Sequence, residues 1–248
     1  MNESNHHTPG ALDISLVRYH PEAALGVHQH ERSSIGIILG GRVQEIVDGN
    51  GDWHRTGALV IKPAGLPHRN RFGPQGAVLL SIRSVPPFGL KADHWNWRCQ
   101  PGILRGALRI ASELATGDTF GAGQEGGWIL LGELAGSQPK IHGIPRWLAD
   151  VRERAADLST GRSVGTLARD AGVHPIYLTR IFRRHFGVSI SGFTRRLKIA
   201  RAADLLRQSD MRIADVSAHF GFADQSHFCR IFKAETGLAP SAYRSLLA

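Results

Sequence analysis

Between Ile14 and Val85 the apolar residues come in short runs broken by glycine and polar positions. Ile35–Leu39, Arg42–Val47, Ala58–Ile61 and Ala77–Ile82 are rich in Val, Ile and Leu, and Asp48-Gly-Asn-Gly-Asp52 separates two of them. Short runs with glycine-rich turns predict the strands of a β-sandwich or barrel. After Pro101 the period changes. Ile103, Leu104, Ala107, Leu108, Ala111 and Leu114 fall at helical spacing. Trp128, Leu131, Leu134 and Ala135 do the same, although Gly126 and Gly127 blur the start of that helix. The stretch from Gly136 to Pro145 mixes Gly, Pro and polar residues and reads as a linker, and from Arg146 onward helices alternate with glycine turns.

The pattern predicts an α+β chain in five parts. Residues 1–13 form a polar tail expected to be disordered, and 14–100 a β domain. Residues 101–136 form a helical segment for packing or dimerisation, 137–145 the linker, and 146–248 an all-α domain. Charge sharpens the division. Of the formal net charge of +9, the part from Arg146 onward holds +8, with 17 Lys+Arg against 9 Asp+Glu. A basic domain on a near-neutral one suggests a polyanion partner for the basic part alone.

The two cysteines, Cys99 and Cys229, are too few for a disulfide framework and fit a reducing, cytoplasmic compartment. No apolar run approaches the roughly 18–20 residues that cross a bilayer, so no membrane partner is expected. The first ten residues lack the apolar stretch of a signal peptide. No nucleophile–base pair at a specific spacing and no phosphate-binding glycine loop argues for catalysis.

The C-terminal part contains a repeat. The first copy spans residues 163–187 and the second 212–237. Leu167 matches Val216 and Gly172 matches Gly221 at an offset of 49. Arg180-Ile-Phe182 matches Arg230-Ile-Phe232, and Gly187 matches Gly237, at an offset of 50. Ser191 with Ser241 and Phe193 with Tyr243 extend the match. Each copy has the logic of a helix-turn-helix: a short helix, a glycine able to take positive φ, and a second helix three or four residues later. Pro175 suits the first turn of one second helix, and Asp224 is a good N-cap for the other.

Leu178, Ile181, Phe182 and Phe186 form one stripe, as do Phe228, Ile231 and Phe232, and both are expected to be core. The opposite faces present Ile176, Thr179, Arg180 and Arg183, or Gln225, Ser226, Cys229, Arg230 and Lys233. Arg can bond guanine O6 and N7 together, Gln can bond adenine, and small or apolar groups can meet the thymine methyl. Arg183 and Lys233 are better placed for phosphates. The expected target is double-stranded DNA. A long amphipathic helix from Ser189 to Gln208 would hold the two recognition helices for major-groove faces about one turn, roughly 34 Å, apart.

These residues, and above all the stretch from Gly221 to Arg244, resemble the DNA-binding domain of AraC-type transcription regulators. The resemblance covers 146–248. It implies promoter binding, usually activation with RNA polymerase as partner, and an N-terminal domain that senses a small effector or forms a homodimer.

The β domain resembles a cupin, a β-barrel of jelly-roll type, on two stretches. Gly26-Val-His28-Gln-His30 is similar to part of the first cupin motif. Gly57, Pro63, Gly65 and His68 stand at the spacing of the second, with Asn70 two residues on. A His-x-His pair on a strand points both imidazoles to one face, and His68 would complete three nitrogen ligands. The carboxylate of the cupin pattern falls near Ser34 or Ile35, where neither residue supplies it. His28, His30 and His68 are therefore candidates either for a divalent metal, in a metal sensor or a metal-dependent cupin enzyme, or for a polar effector pocket. Trp53, Trp95 and Trp97 are candidate pocket or rim aromatics.

Overall fold

The computed structural model describes residues 3–8, 12–84, 96–99, 102–116, 122–136, 144–158 and 160–247. Its strands are β1 (Glu3–Thr8), β2 (Leu12–Tyr19), β3 (Ala24–His28), β4 (Ser34–Ile46), β5 (Trp53–Arg55), β6 (Ala58–Lys62), β7 (His68–Ser84) and β8 (Asn96–Cys99). They form one antiparallel sheet in the order β1-β2-β7-β4-β6-β8, with β3 added to β7 and β5 to β4.

The long strands β4 and β7 carry the architecture. They pair from Ser34↔Arg83 to Ile46↔Arg69, with register shifts at Ile38/Gly40 and Gly41/Val43. Such bulges bend a strand and increase its twist. β4 fuses two runs that the sequence separates at Gly40-Gly41. Those glycines serve the bulge rather than a turn: Gly41 has φ +88°, and a Cβ there would meet the Gly76 carbonyl oxygen at 2.2 Å.

The expected disordered tail is corrected in its described part. Glu3–Thr8 pairs with β2, from Glu3↔Arg18 to Thr8↔Ile14. Glu-Ser-Asn-His-His-Thr has no apolar alternation to announce a strand, and a main-chain ladder with β2 is what orders it.

Helices α1 (Ile103–Ala115) and α2 (Ala122–Gly136) fall where the helical period predicts. The stripe Ile103, Ala107, Leu108, Ala111 and Leu114 is buried. The glycines that blur α2 allow close approach. A Cβ on Gly127 would lie 2.7 Å from Ile14 Cδ1, and one on Gly126 would lie 3.0 Å from Ile110 Cγ1.

Helices α3 (Arg146–Ala156), α4 (Val164–Asp170), α5 (Pro175–Phe186), α6 (Ile190–Gln208), α7 (Ile213–His219), α8 (Gln225–Thr236) and α9 (Pro240–Leu247) follow. Contacts divide the chain into two units, one of Met1–Ser137 with Ala202–Ala248 and one of Gln138–Arg201. The division differs from the expected all-α domain 146–248, because the second cassette packs with the sheet and α1. Most of the predicted linker lies outside the described residues. In the unit Gln138–Arg201 the core gathers Leu148, Val151, Leu167, Ala168, Leu178, Phe182 and Ile190. In the other unit Val216, Phe228, Phe232, Tyr243 and Leu247 are buried behind the second cassette.

Candidate functional site

Two cassettes, α4–α5 and α7–α8, turn by the same device. After α4, Gly172 N donates to Arg169 O (3.1 Å) and Val173 N to Ala168 O (3.0 Å). After α7, Gly221 N donates to Ala218 O (3.0 Å) and Phe222 N to Ser217 O (3.1 Å). This paired closure is a Schellman motif, which needs a left-handed residue at the glycine. Gly172 and Gly221 have φ of +66° and +67°. The second helices then start on different caps. His174 Nδ1 accepts from Ile176 N at 3.3 Å, with Pro175 in the first turn of α5. Asp224 Oδ1 accepts from His227 N at 2.7 Å at the start of α8.

The stripes predicted as core are buried or half-buried, with Leu178, Phe182, Phe228 and Phe232 at 0% exposure. On the opposite faces Ile176, Thr179, Arg180 and Arg183 of α5 are exposed, as are Gln225, Ser226, Arg230 and Lys233 of α8; Cys229 is half-buried. Ile176 is bare to solvent at 73%. Among the described residues Arg183, Arg230 and Lys233 make no ion pair. Arg180 lies 6.0 Å from the centre of the Tyr177 ring, which stacks toward Trp147.

The second cassette is anchored to the sheet by a buried polar cluster. Asp204 Oδ1, on α6, accepts from Thr56 Oγ1 (2.5 Å) and Gly41 N (3.0 Å). Burial raises its pKa, opposed by those hydrogen bonds and by Arg207 and Arg55. Arg207 Nη2 donates to Gln75 O at 2.8 Å. Tyr243 Oη, on α9, donates to Leu39 O at 2.6 Å, and Arg18 Nη2 donates to Leu246 O at 2.7 Å.

On the sheet, β3 and β7 place His28 opposite His68 in the ladder, and His30 follows two residues after β3 ends. The ligand atoms of His28, His30 and His68 lie within 4.8 Å of one another. The Nδ1 atoms of His28 and His68 face the carbonyls of Gly26 (2.8 Å) and Leu66 (3.1 Å). A carbonyl on one ring nitrogen orients the other toward a ligand. Burial, with Lys62 as a nearby cation, lowers the pKa of His30 to about 4; burial does the same for His68, opposed by the Leu66 carbonyl. Both rings are thus neutral near pH 7, the form that binds a metal or accepts a hydrogen bond. Glu45, at 2% exposure, ion-pairs with Lys62 and accepts from Asn70 Nδ2 at 3.0 Å.

Residues 167–245 match the family model described as a helix-turn-helix domain. "Probable transcription factor PqrA" of Proteus vulgaris is 30% identical over 104 residues, which span 42% of this chain and 82% of PqrA. This chain belongs to the AraC-type family of helix-turn-helix transcription regulators. The "HTH-type transcriptional activator RhaR" of Yersinia pseudotuberculosis (serotype O:1b, strain IP 31758) is 40% identical over 67 residues, 27% of this chain but only 23% of RhaR. Among solved structures, the C-terminal domain of AraT, a response regulator from Geobacillus stearothermophilus, covers 41% of this chain and 85% of its own, at 23% identity and a TM-score of 0.38. ToxT from Vibrio cholerae (apo form) covers 98% of this chain and 100% of its own, at 12% identity and a TM-score of 0.41. Scores this low add nothing about the N-terminal part of this AraC-type chain.

Placed on this AraC-type regulator, the nine predicted DNA-facing residues fall on the outer faces of α5 and α8, and the three histidines meet at one point. The aromatic candidates divide. Trp53 is 44% exposed, Trp97 stacks on His54 with ring centres 3.9 Å apart, and Trp95 lies outside the described residues. Sequence reasoning missed Glu45 and Lys62 beside the histidines, although single charges inside apolar strands are a readable signal. It also missed the contact between Tyr243 and Leu39, which no local pattern announces.

Proposed function

We propose that this chain is a sequence-specific transcription regulator whose helices α5 and α8 each enter a major groove. The observation that carries the reading is the pair of exposed faces, Ile176/Thr179/Arg180 and Gln225/Ser226/Arg230, behind two turns of the same construction. Arg180, Arg230 and Gln225 are assigned to base edges, Ile176 and Thr179 to thymine methyls, and Arg183 and Lys233 to phosphates. The sheet unit is assigned to a small effector, with activation through RNA polymerase and pairing of two copies as its family-derived consequences. Selection of bound fragments from a genomic DNA library with the full chain tests the reading. Enrichment of one bipartite sequence is expected; a pool no different from the input rejects it.

A second reading concerns the histidines. Three nitrogen donors with two rings fixed through Nδ1 fit the protein share of an open divalent-metal site. His28, His30 and His68 would hold the ion, which would act as the sensed species or as the anchor of an effector. Lys62 beside them disfavours a second positive charge, so Glu45 has to keep Lys62 paired. Metal analysis after incubation with Zn(II) tests it: one equivalent retained by the chain and lost in His28→Ala supports the site, and none retained rejects it.

A further inference from the structure

Three side chains of the unit Gln138–Arg201 form a stack that starts at its core. Trp147, in the first turn of α3, is half-buried and packs on the cluster that holds Leu148, Leu178 and Phe182. The Tyr177 ring stacks on Trp147, with centres 6.3 Å apart and planes inclined at 22°. Tyr177 itself remains 43% exposed. One turn further along α5, the Arg180 guanidinium lies 6.0 Å from the centre of the Tyr177 ring. Residues three apart are neighbours on a helix face, so this contact is built into the order Tyr177-Leu-Thr-Arg180. The second cassette differs here. Arg180 matches Arg230 at the repeat offset of 50, which makes His227 the counterpart of Tyr177. The His227 ring meets Phe222 edge-on at 5.7 Å, and among the described residues it carries no arginine.

The stack matters to an arginine that reads a base. An exposed arginine populates many rotamers, and ordering it on binding opposes affinity. Bonding guanine O6 and N7 together also requires the planar guanidinium to arrive in one orientation. An aromatic ring attracts the guanidinium and narrows its range before DNA is met. Trp147 in turn fixes the ring, because its own place is set by the core. Thr179, on the same turn of α5, is fixed by other means: its hydroxyl donates to the Pro175 carbonyl at 2.9 Å. The outer face of α5 thus carries two side chains ordered from within the protein.

We infer that Tyr177 is a positioning residue for DNA recognition: it holds Arg180 in the orientation that reads a guanine, and Trp147 holds Tyr177. The inference rests on the base-edge role proposed for Arg180. It confines the device to the first cassette. One half of a bipartite site is then read by a pre-ordered arginine, and the other by an arginine without such a support.

Selection from a random-sequence duplex library with the full chain, followed by fluorescence anisotropy on the selected site and on unselected duplex, tests it. Tyr177→Leu keeps an apolar cover on Trp147 but removes the aromatic face. It is expected to weaken the selected site about 2–5-fold, the worth of an exposed cation–aromatic contact, and to relax the same base that Arg180→Ala relaxes. Unselected duplex and the half-site read by α8 should be unaffected, and Tyr177→Phe should bind as wild type does. In the Arg180→Ala background Tyr177→Leu should cost nothing more, because the side chain it supports is gone. A Tyr177→Leu loss that persists in that background overturns the inference, since the ring would then act on its own account. An equal loss on unselected duplex overturns it too, as does a Tyr177→Phe variant as weak as Tyr177→Leu, or Tyr177→Leu binding that matches wild type. If Arg180→Ala itself relaxes no base, the base-edge role falls and takes this inference with it.

Discussion

Removing one oxygen atom from Tyr243 tests how the second cassette is held. Leu39 is the residue skipped by the register shift between Ile38 and Gly40, so its carbonyl sits at a bulge of the β4–β7 ladder. Tyr243 is 0% exposed, and its hydroxyl reaches that carbonyl at 2.6 Å. Burial raises the pKa of the phenol, which therefore remains a donor at any ordinary pH. In Tyr243→Phe the ring still packs against Phe232, 5.4 Å away, and the change reduces to a buried acceptor without its donor. Such a loss costs about 1–3 kcal/mol. With an m-value near 2 kcal/mol/M in urea, the midpoint is expected to fall by about 0.5–1.5 M at unchanged m. Urea unfolding of the full chain followed by far-UV circular dichroism measures it, with Tyr177→Phe at an exposed position as control. A Tyr243→Phe transition that coincides with wild type refutes the anchoring argument.

Gly172→Ala is expected to destabilise the unit Gln138–Arg201 by about 1 kcal/mol, read as a lower Tm, through backbone strain at positive φ alone, because no atom crowds the added methyl. Asp204→Ala is expected to lose about 1–3 kcal/mol in urea by stranding Gly41 N and Thr56 Oγ1, whereas Asp204→Asn keeps the acceptor and holds stability near neutral pH. Asp204 has a raised folded pKa, so its contribution is full below the ordinary aspartate value and is lost as pH rises through the raised one. Stability against pH should accordingly slope less in Asp204→Asn across that window. Arg180→Ala and Arg230→Ala should each cost about 1–3 kcal/mol at the selected DNA site in fluorescence anisotropy, with smaller losses on random duplex. Affinity for that site should also fall steeply with added salt, and a flat response would remove the phosphate contacts from the reading.

The parts of the fold that were legible in sequence are those set by short-range chemistry. Gly172 and Gly221 mark their turns because only glycine enters the left-handed region without strain, and Asp224 marks a helix start because its carboxylate reaches a main-chain N–H. The buried stripes followed from helical period. Strand β1 was not legible, since its ladder is made by main-chain groups that every residue type shares. Nor was the anchoring of the second cassette. Phe193 and Tyr243 are equivalent in the repeat and look like the same core position. The hydroxyl that distinguishes them acquires meaning only from Leu39, 204 residues away in the chain. Among the site residues, His28, His30 and His68 were visible through motif spacing, although β3 ends at His28 and His30 lies just beyond it.

The fastening of the second cassette constrains how a regulator of this design can be rebuilt. A graft cut at the linker and joined to a foreign sensor would carry Asp204, Arg207 and Tyr243 away while leaving Thr56, Gln75 and Leu39 behind. Each transplanted group would then need a new counterpart or face water. Exchange of sensors among such chains is therefore confined to donors that present a small hydroxyl, a turn carbonyl and a bulged carbonyl at the same three places.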